Sequence, residues 1–393
     1  MKQAVDYSQE TPSQLVDRLV ENAIELHASD IHFNPQREGF EVRFRIDGTL
    51  YVIQNLRTYS QDETGSRIKV LAQMDITERR LPQDGYFEFK HKDRAYDIRV
   101  TTSPTIYGEA IILRIFNREE SLIKLDDLGL KPEQLEIVNK MIANPYGIIL
   151  ITGPTGSGKT TFLYSVLNRF DKVTRNVITV EDPVEFQMAS VRQISVDEKL
   201  NFTLARAMRS VLRQDPDIVM VGEIRDPDTA QMAFQSALSG VLVLSTFHTF
   251  DVPGLVIRLM EMGIPRSVVA HTLNGVISVR LVRKICPSCK ASYQLSDAEK
   301  KALGELAESY EPKKGLGCDV CHKSGYSGRT GIFEIVHFDD EVRSAILEEK
   351  SPTFIQALLQ TKIGKGLREA AAEKVLDGTT TAEEMIRVIG DRL

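Results

Sequence analysis

Residues 147–170 read GIILITGPTGSGKTTFLYSVLNRF. Six mostly apolar residues, a glycine-rich turn and a helix-forming segment follow one another without a break, and this order commits the chain to a strand, a loop and a helix. The loop from Gly153 to Thr160 matches G-x-x-x-x-G-K-[ST] in full and has the context the pattern requires. Its glycines let backbone N–H groups face a phosphate, and the helix N-terminus adds favourable dipole charge. Lys159 is placed to reach β- and γ-phosphates and Thr160 to bind Mg²⁺. Gly153, Pro154, Thr155, Gly156, Ser157, Gly158, Lys159, Thr160 and Thr161 are therefore the candidate nucleotide contacts. Three further short apolar runs, NVITV, DIVMV and VLVLST, alternate with helical patterns. Strands apolar on both sides are buried on both faces, which predicts an α/β fold with a parallel sheet covered by helices.

A phosphate site of this kind needs carboxylates at the carboxyl ends of neighbouring strands. Two places offer them. ITVEDPVE presents Glu181, Asp182 and Glu185, and VMVGEIRD presents Glu223. The second is unusual, because such a strand ordinarily ends in Asp, whereas here Val221 is followed by Gly222 and then Glu223. Asp182 and Asp226 also suit helix capping, since acids favour a helix N-terminus. A third strand ends in STFHT, where His248 can donate to an anionic oxygen or be satisfied by a nearby carbonyl.

The rest of the chain carries other signals. Thr11 and Pro12 open a helix in which Leu15, Val16, Leu19, Val20, Ala23 and Ile24 share one face. Phe40, Val42, Phe44 and Ile46 alternate with charged residues before a turn at Asp47-Gly48, the mark of a hairpin. SRIKVLAQMDI predicts a second helix, and residues 1–117 as a whole predict one α+β domain. Residues 118–131 read as a linker, 132–283 as the phosphate-binding domain, 284–335 as a cysteine-bearing module and 336–393 as a helical region. A net charge of −6 argues against a general nucleic-acid binder. No apolar run suffices for a membrane span or a secretory signal, so the expectation is a cytoplasmic chain that meets membranes through partners.

The four cysteines form two C-x-x-C pairs, Cys286/Cys289 and Cys318/Cys321. Two such knuckles suit tetrahedral Zn²⁺ held by four thiolates in a closed, structural site; disulfides and a redox pair are the alternatives. His322 is adjacent and unnecessary to that set.

Together, ASDIHFNP, RFRIDGTL, RRLPQDG, PTIYGEAIILRI, GPTGSGKTT, TVEDPVE, LRQDPDIVMVGEIRD and STFHT resemble the assembly ATPases of type II secretion and type IV pilus systems, over nearly the whole chain. The resemblance implies a RecA-like hexamer behind a PAS-like N-terminal domain, with Mg-ATP bound between the two domains of each subunit. It implies a chain peripheral at the inner membrane that drives a platform protein so that pilin-like subunits join a filament. It makes Gly222-Glu223 the family's form of the metal-side motif, Glu181 the partner acid, and Arg99 and Arg114 a pair that contacts phosphates. It also supports the zinc module, which sets assembly ATPases apart from the related retraction ATPases. Arg206, Arg209 and Arg213 share helical spacing and fit either a subunit interface or a solvated face. Two positions depart from the family: Val241 stands where a histidine is usual, and Phe250 where a small polar residue is usual. The chain begins close to the α+β domain, which puts in doubt docking through a further N-terminal domain. A retraction motor, a nucleic-acid translocase and a nucleotide-responsive scaffold are the rival readings.

Overall fold

A computed structural model describes residues 10–56, 61–117, 123–197, 200–249, 252–309 and 311–390. The chain divides into two compact units, residues 1–121 with 317–327, and residues 122–316 with 328–393.

In the first unit, α1 (Pro12–Glu25) begins at Thr11, whose hydroxyl accepts from Gln14 N–H while the Gln14 side chain accepts from Thr11 N–H. That reciprocal pair satisfies two N-terminal donors and fixes the helix start. Its apolar stripe of Leu15, Val16, Leu19, Val20, Ala23 and Ile24 is buried, as the spacing predicts. Strands β1 (Ala28–Pro35), β2 (Phe40–Ile46) and β3 (Thr49–Leu56) lead to α2 (Gln61–Leu71), then β4 (Gln83–His91), β5 (Arg94–Thr105) and β6 (Gly108–Asn117). They form one antiparallel sheet in the order β3-β2-β1-β6-β5-β4. Asp47 and Gly48 turn the β2–β3 hairpin with φ of 47° and 81°, the two positive values a type I′ turn requires. The second helix starts at Gln61, earlier than its sequence suggests, and ends at Leu71. Gln73 adopts φ 57°, and Asp75 turns the chain by accepting from Thr77 N–H at 2.8 Å.

In the second unit, α3 (Pro132–Ala143) precedes β7 (Gly147–Thr152), α4 (Lys159–Leu167), β8 (Val177–Glu181), β9 (Arg192–Ser195) and α5 (Leu204–Val211). Then come β10 (Ile218–Ile224), α6 (Pro227–Leu238), β11 (Leu242–Phe247), α7 (Val252–Glu261), α8 (Arg266–Thr272) and β12 (Leu273–Ile285). A two-stranded ribbon, β13 (Lys290–Ser292) with β14 (Lys313–Gly315), brackets α9 (Asp297–Leu303). The chain closes with β15 (Tyr326–His337) and the helices α10 (Asp340–Leu347), α11 (Pro352–Ile363), α12 (Leu367–Leu376) and α13 (Ala382–Ile389). The large sheet runs β15-β12-β7-β11-β10-β8-β9, and its β12-to-β9 portion is parallel.

Successive residues of these strands feed two separate cores. Ile148 and Leu150 belong to one and Ile149 and Ile151 to the other, and Val219 and Val221 are divided from Ile218 and Met220 in the same way. This is why the strands read as continuous apolar runs: both faces of the sheet are covered. Parallel pairing also brings the carboxyl ends of β7, β8, β10 and β11 to one edge, where ligands bind in open α/β sheets.

Candidate nucleotide site

The loop after β7 is shaped by close packing. A Cβ on Gly153, at φ 151°, would lie 2.5 Å from Ser157 Oγ and 2.6 Å from Val279 O, so no side chain fits there. Gly158 caps α4 with φ 95°, a conformation glycine adopts at no steric cost. Lys159 folds back over the loop and donates to the carbonyl oxygens of Gly153 at 2.8 Å and Pro154 at 3.0 Å. Lys159 is buried, and burial pushes its pKa down to about 8; the fields of Glu223 and Glu185 oppose that shift and the field of Arg280 adds to it. Ser157 Oγ is buried and makes no hydrogen bond among the described residues. A buried orphan hydroxyl and a desolvated cation, in a loop opening onto a helix N-terminus, fit an anionic phosphate.

The geometry of VMVGEIRD follows from the register between β10 and β11. Val221 pairs with Ser245 and Glu223 with Thr246, leaving Gly222 as an extra residue in a bulge. Bulges next to functional sites re-aim side chains. Gly222 packs against β8, where a Cβ would sit 3.4 Å from Glu181 Cα, and its carbonyl accepts from Thr246 Oγ1 at 2.8 Å. Beyond the bulge, Glu223 Oε2 lies 2.9 Å from His248 Nε2, and its other oxygen pairs with Arg225. The end of β11 is tied to β7 through Thr152, whose hydroxyl donates to Thr249 O at 2.7 Å and accepts from Thr249 N–H at 3.1 Å. Thus Lys159, Glu223 and His248 share the strand-end edge. Thr160 hydroxyl and Glu223 carboxylate oxygens are the hard donors that Mg²⁺ takes.

Glu181 occupies a different setting. Its carboxylate is buried and accepts from Tyr164 Oη at 2.5 Å, Thr179 Oγ1 at 2.6 Å and Gln193 Nε2 at 3.4 Å. Burial outweighs these bonds and raises the Glu181 pKa. Of the acids in ITVEDPVE, it is the exposed Glu185 whose field reaches Lys159. Asp226 caps α6 by accepting from Thr229 N–H at 2.8 Å. Arg280 escaped the sequence reading. It is a buried cation on β12, donating to Val279 O at 2.9 Å and lying 3.1 Å from where a Gly153 Cβ would be. Its only sequence signal is a charge inside the apolar run VISVRLV.

Val241 is buried at the end of β11 remote from the loop, where its carbonyl accepts from Gly147 N–H, so a valine there leaves the phosphate edge untouched. Phe250 lies outside the described residues. Arg206, Arg209 and Arg213 are all exposed, the first two on α5 and the third just past its end.

In the first unit, Arg99 and Arg114 are direct cross-strand partners on β5 and β6. Arg99 lies over the Phe116 ring at 4.6 Å, and Arg114 Nε donates to Asp30 Oδ1 at 2.9 Å.

The sulfur atoms of Cys286, Cys289, Cys318 and Cys321 lie within 4.8 Å of one another, and none forms a disulfide. Cys318 and Cys321 Sγ are 3.7 Å apart, close to the edge of a tetrahedron with Zn–S bonds of about 2.3 Å. Cys318 N–H and Gly325 N–H both donate to Cys321 Sγ, as suits a thiolate. Among the described residues no helix is long and apolar enough to cross a membrane.

The residue pattern of the family described as "Type II/IV secretion system protein" matches residues 6–387. The chain is 42% identical over 376 residues to "Type II secretion system protein E" of Pseudomonas aeruginosa, covering 95% of this chain and 75% of that one. It is 40% identical over 383 residues to "Type IV pilus assembly ATPase TfpB" of Acinetobacter baylyi, covering 96% and 65%. Among solved structures, the fold is similar to the Legionella pneumophila ATPase DotB, with a TM-score of 0.72 and 24% identity over 97% of each chain. It is also similar to the pilus retraction motor PilT with bound ADP, with a TM-score of 0.65 and 24% identity over 95% and 96%.

Proposed function

The chain belongs to the Type II/IV secretion system protein family and is an ATPase; on that premise we propose that it is the hexameric motor that assembles a type II secretion pseudopilus or type IV pilus, working through an inner-membrane platform protein from the cytoplasmic side. What carries the catalytic part of this reading is the bulge that delivers Glu223 to the strand edge beside Lys159 and His248. The roughly 40% identity to proteins named for assembly and for secretion, together with a cysteine cluster suited to zinc, favours assembly over retraction.

Lys159 and the loop N–H groups hold the phosphates of ATP, and Thr160 and Glu223 would hold Mg²⁺, which when bound neutralises charge developing on the phosphates. Glu223 orients the attacking water, with His248 reporting the γ-phosphate from across the carboxylate. Glu181, whose raised pKa makes it a readier proton acceptor, serves as the second acid. Arg99 and Arg114 supply positive charge to the transferring phosphoryl group. Cys286, Cys289, Cys318 and Cys321 hold Zn²⁺ as a structural ion.

The test is ATP turnover by Glu223→Gln. Turnover is expected to fall about 10²- to 10⁴-fold with ATP binding retained, the range lost with a positioned acid or base. Unchanged turnover would refute the assignment.

A further inference from the structure

The motif ASDIHF contains an acid that the proposed chemistry does not use. Asp30 lies on β1, directly opposite Arg45 on β2 and Arg114 on β6, and Arg114 in turn faces Arg99 on β5. Direct cross-strand partners project to the same face of a sheet. One row therefore runs Arg45, Asp30, Arg114, Arg99 across four strands, with three cations and a single acid. Ile31, Phe44, Leu113 and Ile98 are buried on the opposite, apolar face. A register shift between Ala28 and Asp30 sets the acid in this row.

Although it stands on the polar face, Asp30 is only 4% exposed. Its Oδ1 accepts from Arg114 Nε at 2.9 Å, and its Oδ2 accepts from Ser29 Oγ at 2.8 Å and lies 3.5 Å from Arg45 Nε. Arg45 is anchored further by donating from Nη1 to Gly48 O at 3.1 Å. The carboxylate is thus fixed before Arg114 meets it. Arg114 spends its inner Nε on that bond while its side chain stays 58% exposed, so the outer Nη edge, the fork that matches two phosphate oxygens, is left to face outward.

We infer that Asp30 is the positioning residue for Arg114, holding the guanidinium by Nε so that its Nη edge is presented to a phosphate of the bound nucleotide. The inference rests on the reading of Arg114 as a phosphate contact. Asp30 touches no substrate; it converts a flexible arginine into an oriented one, which removes rotamer entropy from the reactive geometry.

The experiment is a double-mutant cycle in ATP turnover, using the full chain with Asp30→Asn, Arg114→Ala and both together. Asp30→Asn is expected to lower kcat/KM for ATP about tenfold or more. In the Arg114→Ala background the same change is expected to have no further effect, within about threefold. A purely structural acid would weaken both backgrounds alike, so equal losses in the two, or wild-type turnover by Asp30→Asn, would overturn the inference. Arg114→Lys tests the same point without touching a buried position. An ammonium cannot bond Asp30 through one nitrogen and present a second edge, so it too is expected to lose about tenfold, and wild-type turnover by that variant would contradict the proposal. If Arg114→Ala itself turns over normally, the phosphate role of Arg114 fails; if it is impaired but additive with Asp30→Asn, only the positioning role fails.

Discussion

At the scale of single residues, Lys159 shows how far a position can depart from its solution chemistry. Taking an ammonium out of water disfavours its charged form, and burial brings this one to about 8. The sign is that of a lowered lysine: the group is charged below about pH 8 and loses its proton above it, whereas a bound phosphate restores the charge. ATP affinity should therefore be nearly flat up to about pH 8 and then fall, approaching tenfold per pH unit. Titrating nucleotide binding between pH 7 and 9.5 checks this, and a flat profile would show that Lys159 stays charged when the site is empty. The lysine and its loop were legible in the sequence because eight contiguous residues carry the whole pattern. Asp30, Arg280 and the setting of Glu181 were not. Their meaning lies in neighbours 12 to 127 positions away in the chain: Arg45 and Arg114 beside Asp30, Gly153 beside Arg280, and Tyr164 with Gln193 around Glu181.

At the scale of elements, the apolar runs announced β7, β8, β10 and β11, and their two-faced burial follows from residue type alone. The bulge in β10 could not be read that way. GEIRD places a glycine before an acid, but only the pairing with β11 shows that Gly222 is the extra residue and that Glu223 is re-aimed. The start and stop of α2 were missed for a similar reason, because the turn at Gln73 and Asp75 ends the helix while apolar residues continue beyond it. The cysteine knuckles are the reverse case, since two C-x-x-C pairs suited a shared ion and the four sulfurs do converge. Elemental analysis is expected to find one zinc per chain, lost in Cys318→Ser together with filament assembly. Full assembly by that variant would show that the module is dispensable.

At the scale of the whole molecule, the family and the ATPase chemistry are carried by a match to residues 6–387 and by identity near 40% over almost the entire chain. The net charge of −6 sits poorly with a nucleic-acid translocase, and DNA is accordingly not the polymer the motor is proposed to move. What distinguishes an assembly motor from a free ATPase is coupling: turnover should depend on the membrane component it drives. The most direct measurement is ATP turnover by the purified full chain, with and without the platform protein reconstituted in lipid vesicles, and with Glu223→Gln as the control for contaminating activity. A rise in turnover with platform-bearing vesicles but not with empty ones, absent in Glu223→Gln, is the predicted result; turnover indifferent to the platform protein would contradict the account.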